Sequence, residues 1–323
     1  MKRIATLFFS LLLLASTLLS SCAAKLNAPE EVPEESTEAI SETVPAAKTE
    51  EVKIEQADPA GDSTLNVLII GNSFSTGWPD ELNGLMTEKD IRVNIFTVYY
   101  SGCTLTMHWN WLQNGRANYR LRHHIQGGGT SDNEPVSLDY CLKKRNWDVI
   151  ALQHSYGACL KDDFNEEEFH ERANELAKKF FDYLKDRFPK SRLVWHEEWA
   201  YNVEWERNGV KVGTLERQEM MYNNIRRHSV AVHEQNGVPV VPSGTAWQIA
   251  RANPKIGDLT RDQYHDGDTQ GGQYLNACVW FEFLTGQSCV GSSYRPSKLA
   301  ISEEEVSILQ NAAHKAVTES ELK

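Results

Sequence analysis

A serine and a distant aspartate–histidine pair are the residues whose types and spacing fit a chemical reaction. Ser73 lies in the turn Gly71-Asn72-Ser73-Phe74-Ser75, directly after the apolar run at residues 65–70. Asp262 and His265 are three residues apart near the other end of the chain. A serine hydroxyl becomes a nucleophile when an imidazole takes its proton, and the imidazole needs a carboxylate to fix its tautomer. Taken singly, the two features are also typical of an ordinary turn and of a structural ion pair.

Alternating strand and helix patterns must position these residues. Short apolar or β-branched runs predict strands at 65–70, 93–100, 148–152, 193–195 and 238–241. Apolar residues at three- and four-residue steps predict an amphipathic helix over 166–188, and further helices are expected at about 215–234, 270–285 and 302–317. This alternation predicts an α/β fold with a parallel sheet covered on both faces. Ligands of such sheets bind beyond the carboxyl ends of the strands, where Ser73 would lie.

The GNSFS and DQYH blocks together resemble those of the SGNH (GDSL-type) hydrolase superfamily, over roughly residues 65–286. The resemblance implies a three-layer α/β/α fold with a flavodoxin-like sheet. It also implies that Ser73 is the nucleophile, His265 the general base and acid, and Asp262 its orienting partner. Asn72 stands where the superfamily usually has Asp.

The resemblance further implies an oxyanion hole, in which backbone N–H groups and an amide side chain bind the developing negative charge. Ser73 and Gly102 are the expected N–H donors. Considered by itself, a glycine at position 102 is equally typical of a plain turn. After the third strand the superfamily has a G-x-N-D block, whereas this chain has Leu152-Gln153-His154-Ser155. We therefore expect the Gln153 amide to donate in place of the missing Asn.

Aromatic residues near the strand ends are candidates for stacking on sugar rings. We expect Trp109, Tyr156 and Trp199 at the rim of the site, with burial in the core as the alternative. Glu197 and Glu198 are adjacent, so their side chains point apart, which favours a rim or supporting position over the paired carboxylates of a glycosidase.

Neither a metal nor a cofactor is expected. His108 stands alone, and the His123–His124 pair has no further histidine or cysteine at metal-ligand spacing. The five cysteines after residue 62 show no metal-binding spacing, which leaves buried free thiols or one or two disulfides open.

The first 62 residues differ in composition from the rest. Lys2 and Arg3 precede an apolar run, and Leu19-Ser20-Ser21-Cys22 resembles a bacterial lipobox, which predicts a signal peptide over 1–21 and acylation of Cys22. An ordinary secretory signal is the alternative. Residues 22–62 have no aromatic residue and eleven acidic residues against three lysines, so we expect a disordered linker. The catalytic domain is then residues 63–323.

The net charge of −12 and the lack of a Lys/Arg-rich block argue against nucleic-acid binding. We expect an exported bacterial lipoprotein, tethered to a membrane by its lipid at the surface of the cell envelope. The predicted activity is that of a serine esterase that removes O-acetyl groups from carbohydrate through an acyl-enzyme. The alternative is a catalytically inactive, carbohydrate-binding lipoprotein with a hydrolase-like fold.

Overall fold

A seven-stranded sheet with helices on both faces forms the fold in the computed structural model, which describes residues 64–323 without the side chains of residues 133 and 134. The signal peptide, Cys22 and the linker lie outside the described residues. The sheet strands are β1 (Leu65–Gly71), β2 (Val93–Tyr99), β3 (Ala117–His124), β4 (Thr130–Ser137), β5 (Val149–Gln153), β6 (Arg192–His196) and β9 (Val240–Val241). A separate hairpin comprises β7 (Glu206–Arg207) and β8 (Val210–Lys211).

The five central strands are parallel in the order β2-β1-β5-β6-β9. Strand β1 has apolar residues on both faces, with Val67 and Ile69 in one core cluster and Leu68 and Ile70 in the other. Ile70 pairs in register with Leu152 of β5, so the turns after β1 and β5 begin side by side. The predicted α/β fold with a flavodoxin-like parallel core is confirmed.

The sheet differs from the prediction at one edge, where β3 pairs antiparallel with β2 and β4 pairs antiparallel with β3, so that two strands extend the sheet. The turn between them contains Gly127, Gly128 and Gly129, all with positive φ. Strand β3, which lies between β2 and β4, contains four charged or imidazole side chains and no Val or Ile, so its composition gave no strand signal.

The helices are α1 (Pro79–Glu88), α2 (Leu105–Gln113), α3 (Leu138–Lys143), α4 (Glu166–Arg187), α5 (Leu215–Asn236), α6 (Ser243–Arg251), α7 (Gly272–Thr285) and α8 (Glu303–Thr318). On one face of the sheet lie α1, α6, α7 and α8, and on the other lie α2, α3 and α4. Helix α5 packs against α4 and contributes to both clusters. The four predicted helices are present with ends within two residues of the expected positions. Within residues 64–323, none of the helices combines the length and apolarity needed to span a bilayer.

The caps of the long helices follow from local sequence. Asn165, Thr214 and Ser302 each accept a hydrogen bond from a backbone N–H in the first turn of α4, α5 and α8. Gly237 and Gly286 end α5 and α7 in the left-handed conformation. The five cysteines of the described region are all buried free thiols.

Four histidines are buried in this fold without charge. Burial lowers the pKa of His108, His154 and His196 to about 3, and that of His228 lies well below its usual value for the same reason. The Nδ1 atom of His228 lies 2.7 Å from the hydroxyl of Tyr156. These rings stay neutral at neutral pH because the protein offers them hydrogen bonds but little solvation for a charge.

We predict that mild acid destabilises the protein. Below a pH of about 6.5 each of these histidines binds a proton in the unfolded chain and not in the folded one, which lowers the free energy of unfolding by about 1.4 kcal/mol per pH unit. Asp266 and Glu198 act in the opposite sense, because burial raises the pKa of Asp266 to about 7 and that of Glu198 well above its usual value. The histidines with lowered pKa values, which also include His170, outnumber these two carboxyls, so a net loss of stability is expected between about pH 6 and 5. Denaturant unfolding at several pH values measures this slope, and a constant free energy of unfolding would contradict it.

Candidate active site

Ser73 lies in the turn after β1, at the carboxyl end of the parallel strands. Asn72 caps a single 3-10 turn, Ser73–Ser75, by accepting a hydrogen bond from the Phe74 amide at 3.0 Å. The Ser75 amide donates to the Asn72 carbonyl at 3.0 Å. Ser73 is partly exposed while Phe74 and Ser75 are buried, so the turn directs the Ser73 hydroxyl outward.

His265 and Asp262 meet Ser73 in a continuous hydrogen-bonded row. His265 Nε2 lies 2.8 Å from Ser73 Oγ, although the two residues are 192 positions apart in sequence. His265 Nδ1 lies 2.7 Å from Asp262 Oδ2, and the His265 amide donates to Asp262 Oδ1 at 2.8 Å. The structure thus brings together the three residues of the predicted triad in the connectivity that nucleophilic catalysis by serine requires.

The charge of Asp262 suits the role of an orienting carboxylate. Burial raises its pKa, but the hydrogen bonds from His265 and the charge interaction with that ring outweigh burial, and the net shift is downward. Asp262 is therefore ionised at neutral pH, and its charge favours the imidazolium form of His265 when the ring accepts a proton.

Backbone contacts hold the loop that contains Asp262 and His265. Gln263 has a φ of 72°, a left-handed conformation that lets the chain turn sharply between the two residues. Its carbonyl accepts from the Asn202 amide at 2.7 Å, and the next carbonyl, of Tyr264, accepts from Trp199 Nε1 at 2.8 Å. The segment after β6 thus fixes the loop, and the strain at Gln263 is held by these two bonds.

The two expected N–H donors lie in adjacent loops that Asn72 joins. Gly102 follows β2 with a φ of 67°, which favours glycine. Asn72 Nδ2 donates to the carbonyl of Cys103 at 3.5 Å, connecting the nucleophile turn to the Gly102 loop. Ser73 and Gly102 are partly exposed, and neither amide has a hydrogen-bond acceptor in the part of the chain that the structure describes.

Gln153 occupies a different position from the one predicted. Its side chain is 1% exposed, its Oε1 accepts from the Ser75 hydroxyl, and its Nε2 donates to Glu198 Oε2 at 3.3 Å. The amide therefore lies behind the nucleophile turn. The prediction that Gln153 donates to the oxyanion is corrected, because its amide nitrogen is engaged with a buried carboxyl.

Two of the three expected rim aromatics are core residues. Tyr156 and Trp199 are fully buried, Trp199 stacking on Trp247 at 4.8 Å between ring centroids. Trp109, half-buried on α2, packs against Phe180 of α4 at 5.1 Å, and none of its described ring contacts is with the triad. These three residues face the core or a neighbouring helix because packing, not position near a strand end, decides which way an aromatic ring points.

Two aromatic residues that were not predicted at the site extend outward from the triad, Tyr264 in contact with His265 and Trp205 in contact with Tyr264. The half-buried Tyr264 ring lies 3.9 Å from the His265 ring, and the half-buried Trp205 ring lies 6.4 Å from that of Tyr264. Trp205 stands at the base of the β7–β8 hairpin, where its carbonyl accepts from the Val212 amide at 3.0 Å. Tyr264 lies within the DQYH block itself, so its place could have been inferred, whereas nothing in the sequence marks Trp205.

Glu197 and Glu198 are both fully buried and do not lie at the rim. Glu197 Oε2 lies 3.2 Å from Arg226, and its Oε1 accepts from the amide and hydroxyl of Thr245 at 2.8 and 2.7 Å. Glu197 and Arg226 therefore form an ion pair with a structural role. Among residues 64–323, no group of three or more His, Cys, Asp or Glu side chains is arranged to hold a metal ion.

The chain is similar to one protein family and to several solved structures. The model of the DUF4886 family, a domain of unknown function, matches residues 66–316. A DUF4886 family protein from Bacteroides uniformis is 28% identical in sequence, with a TM-score of 0.68 over 79% of this chain and 95% of that one. An acetylxylan esterase from Geobacillus stearothermophilus is 12% identical, with a TM-score of 0.47 over 68% of this chain and 94% of the esterase. No curated protein matches the chain. The chain therefore belongs to the DUF4886 family.

Proposed function

We propose that this protein is a serine esterase of the SGNH type. The observation that carries the proposal is the hydrogen-bonded row Ser73–His265–Asp262, which joins a partly exposed hydroxyl to an imidazole and an ionised carboxylate. This arrangement suits acyl transfer, since it provides a nucleophile, a proton acceptor and an orienting charge in one place.

The reaction has two halves. Ser73 Oγ attacks the ester carbonyl carbon while His265 Nε2 takes the hydroxyl proton, and the oxyanion that forms is bound by the N–H groups of Ser73 and Gly102. The intermediate collapses with transfer of the His265 proton to the departing alcohol, leaving Ser73 acylated. Water then attacks the acyl group, His265 accepts its proton, and the carboxylic acid is released as Ser73 regains its hydrogen.

We further propose O-acetylated carbohydrate as the substrate class. Tyr264 and Trp205 support this choice, because the half-buried ring beside His265 and the half-buried ring that neighbours it offer apolar faces to the sugar that carries the ester. A position outside the cell, which follows from the proposed export signal, would give the enzyme access to such polymers.

A second candidate is a carbohydrate-binding protein that has kept the fold without the activity. The engagement of Gln153 with Glu198 favours it, because the site then lacks the amide donor that the superfamily uses. Assays of the purified full chain separate the two candidates.

We predict that the full chain hydrolyses 4-nitrophenyl acetate. Ser73→Ala and His265→Ala should lower kcat by about 10³-fold or more, and Asp262→Asn by about 10³- to 10⁴-fold, because each removes one member of the triad. Ser307→Ala, a serine exposed on α8, is the control and should leave the rate unchanged. If folded Ser73→Ala retains the full rate, or if the unmodified chain is inactive on every acetyl and aryl ester, the esterase proposal fails.

We predict that Trp205→Ala distinguishes sugar esters from small esters. On an acetylated xylo-oligosaccharide kcat/KM should fall about 10-fold, the equivalent of about 1.4 kcal/mol of lost stacking, while kcat/KM on 4-nitrophenyl acetate should change little. Trp109→Ala, at the half-buried tryptophan of α2, is the matched control and should affect neither substrate. Equal losses on both substrates would contradict a role of Trp205 in sugar binding.

We also propose that Cys22 carries the lipid anchor at the cell-envelope surface. Cys22→Ser should move the protein from the membrane fraction of the expressing bacterium to a soluble fraction, because burial of acyl CH₂ groups supplies the attachment. Cys103→Ser leaves Cys22 intact and should remain in the membrane fraction. Immunoblots of the separated fractions measure the distribution, and a Cys22→Ser protein that stays with the membrane would contradict the proposal.

A further inference from the structure

Three buried polar side chains form a hydrogen-bonded row behind the nucleophile turn. Ser75 Oγ donates to Gln153 Oε1, and Gln153 Nε2 donates to Glu198 Oε2 at 3.3 Å. Each of the three side chains is at most 1% exposed. The row begins two residues after Ser73 and ends at the segment after β6, so it crosses the carboxyl ends of three adjacent strands.

The side chains of Ser75 and Gln153 lie close to Gly71 at the end of β1. A Cβ atom added to Gly71 would lie 2.3 Å from Ser75 Oγ and 2.6 Å from Gln153 Oε1. Such distances are well below van der Waals contact, so only glycine fits between β1 and the row. The row therefore fixes the backbone on both sides of Ser73, at Gly71 and at Ser75.

Glu198 ends the row without a cation beside it. Its Oε1 is buried and has no hydrogen-bond partner within the described region, in contrast to Glu197, whose carboxylate faces Arg226. Glu198 contributes to the raised pKa values of the phenols of Tyr156 and Tyr201 and of the thiol of Cys159, which shows that these groups lie near it. An unpaired carboxylate would be costly in these surroundings, and burial raises the pKa of Glu198 well above its usual range.

The contacts at its two ends show which way the Gln153 amide faces. Glu198 Oε2 is an acceptor, so it binds the NH₂ end of the amide and leaves the carbonyl end toward Ser75. In this orientation the Ser75 hydroxyl is hydrogen-bonded to the amide carbonyl, and the row connects the nucleophile turn to Glu198.

We infer that Glu198 is a positioning residue, which acts in its neutral form through Gln153 and Ser75 to hold the nucleophile Ser73 in reach of His265. The inference rests on the proposed esterase function and assigns Gln153 a supporting role in place of the predicted contact with the oxyanion. Displacement of a nucleophile by about 1 Å is enough to lower a rate by about 100-fold, so a contact remote from the substrate can control kcat.

The test uses the full chain, 4-nitrophenyl acetate and three variants of the row. Glu198→Ala and Ser75→Ala should lower kcat by about 10- to 100-fold and change KM less than about threefold, because the site is misaligned rather than emptied. Glu198→Gln keeps the acceptor and the volume without a charge, and should keep kcat within about threefold of the unmodified chain. Glu282→Ala removes a buried carboxyl from α7, far from the row in the fold, and is the control for a loss of stability alone.

Infrared difference spectra of the same proteins give a readout that does not depend on catalysis. At neutral pH, Glu198→Gln should remove a C=O band of a protonated carboxyl, and the loss of an ionised carboxylate band instead would overturn the neutral form. The positioning role is overturned if folded Glu198→Ala and Ser75→Ala both keep the full kcat, or if Glu198→Gln loses as much as Glu198→Ala. Inactivity of the unmodified chain would refute the esterase function and with it this role, while the infrared result would still decide the charge of Glu198.

Discussion

The hydrogen bond between Ser73 and His265 connects the first strand of the sheet to a loop 192 residues later, and the architecture of the site depends on it. Strand β1 is the central strand of the seven-stranded sheet and lies between β2 and β5, so the turn that follows it is bordered by the turns after those two strands. The loop of His265 reaches this turn because contacts from Trp199 and Asn202 hold its backbone. The site is therefore assembled from loops, but each loop is attached to a rigid strand end.

Much of the support around the triad is uncharged. Gln153, the acid form of Glu198 and the neutral ring of His228 lie in the interior beyond the strand ends, whereas Glu197 there forms an ion pair with Arg226. In an interior of low polarity, dipoles that are already oriented keep their direction during a reaction, whereas buried charges need partners. The ionised Asp262 is the carboxylate in hydrogen-bond contact with His265, at 2.7 Å.

The sequence was most informative where function depends on local spacing. Ser73, Asp262 and His265 could be identified because a turn after a strand and a three-residue step are short-range features, and the parallel core followed from the alternation of elements. The positions of Tyr156, Trp199 and Gln153 could not, because their burial is set by residues far away in the chain, such as Trp247, His228 and Glu198. The antiparallel strands β3 and β4 were not predicted. Strand β3 is rich in Arg and His, and its pairing with β4 is made by backbone groups, which leave no pattern in the side chains.

Asn72 gives the site a property that an aspartate would not. Its oxygen accepts from the Phe74 amide while its nitrogen donates to the Cys103 carbonyl, so one uncharged group sets the spacing between the Ser73 and Gly102 loops. An aspartate can make the first contact in its ionised form but can donate to the carbonyl only after it gains a proton. An amide does not titrate, so the distance between the two loops that flank the reacting atoms is independent of the acidity of the surroundings.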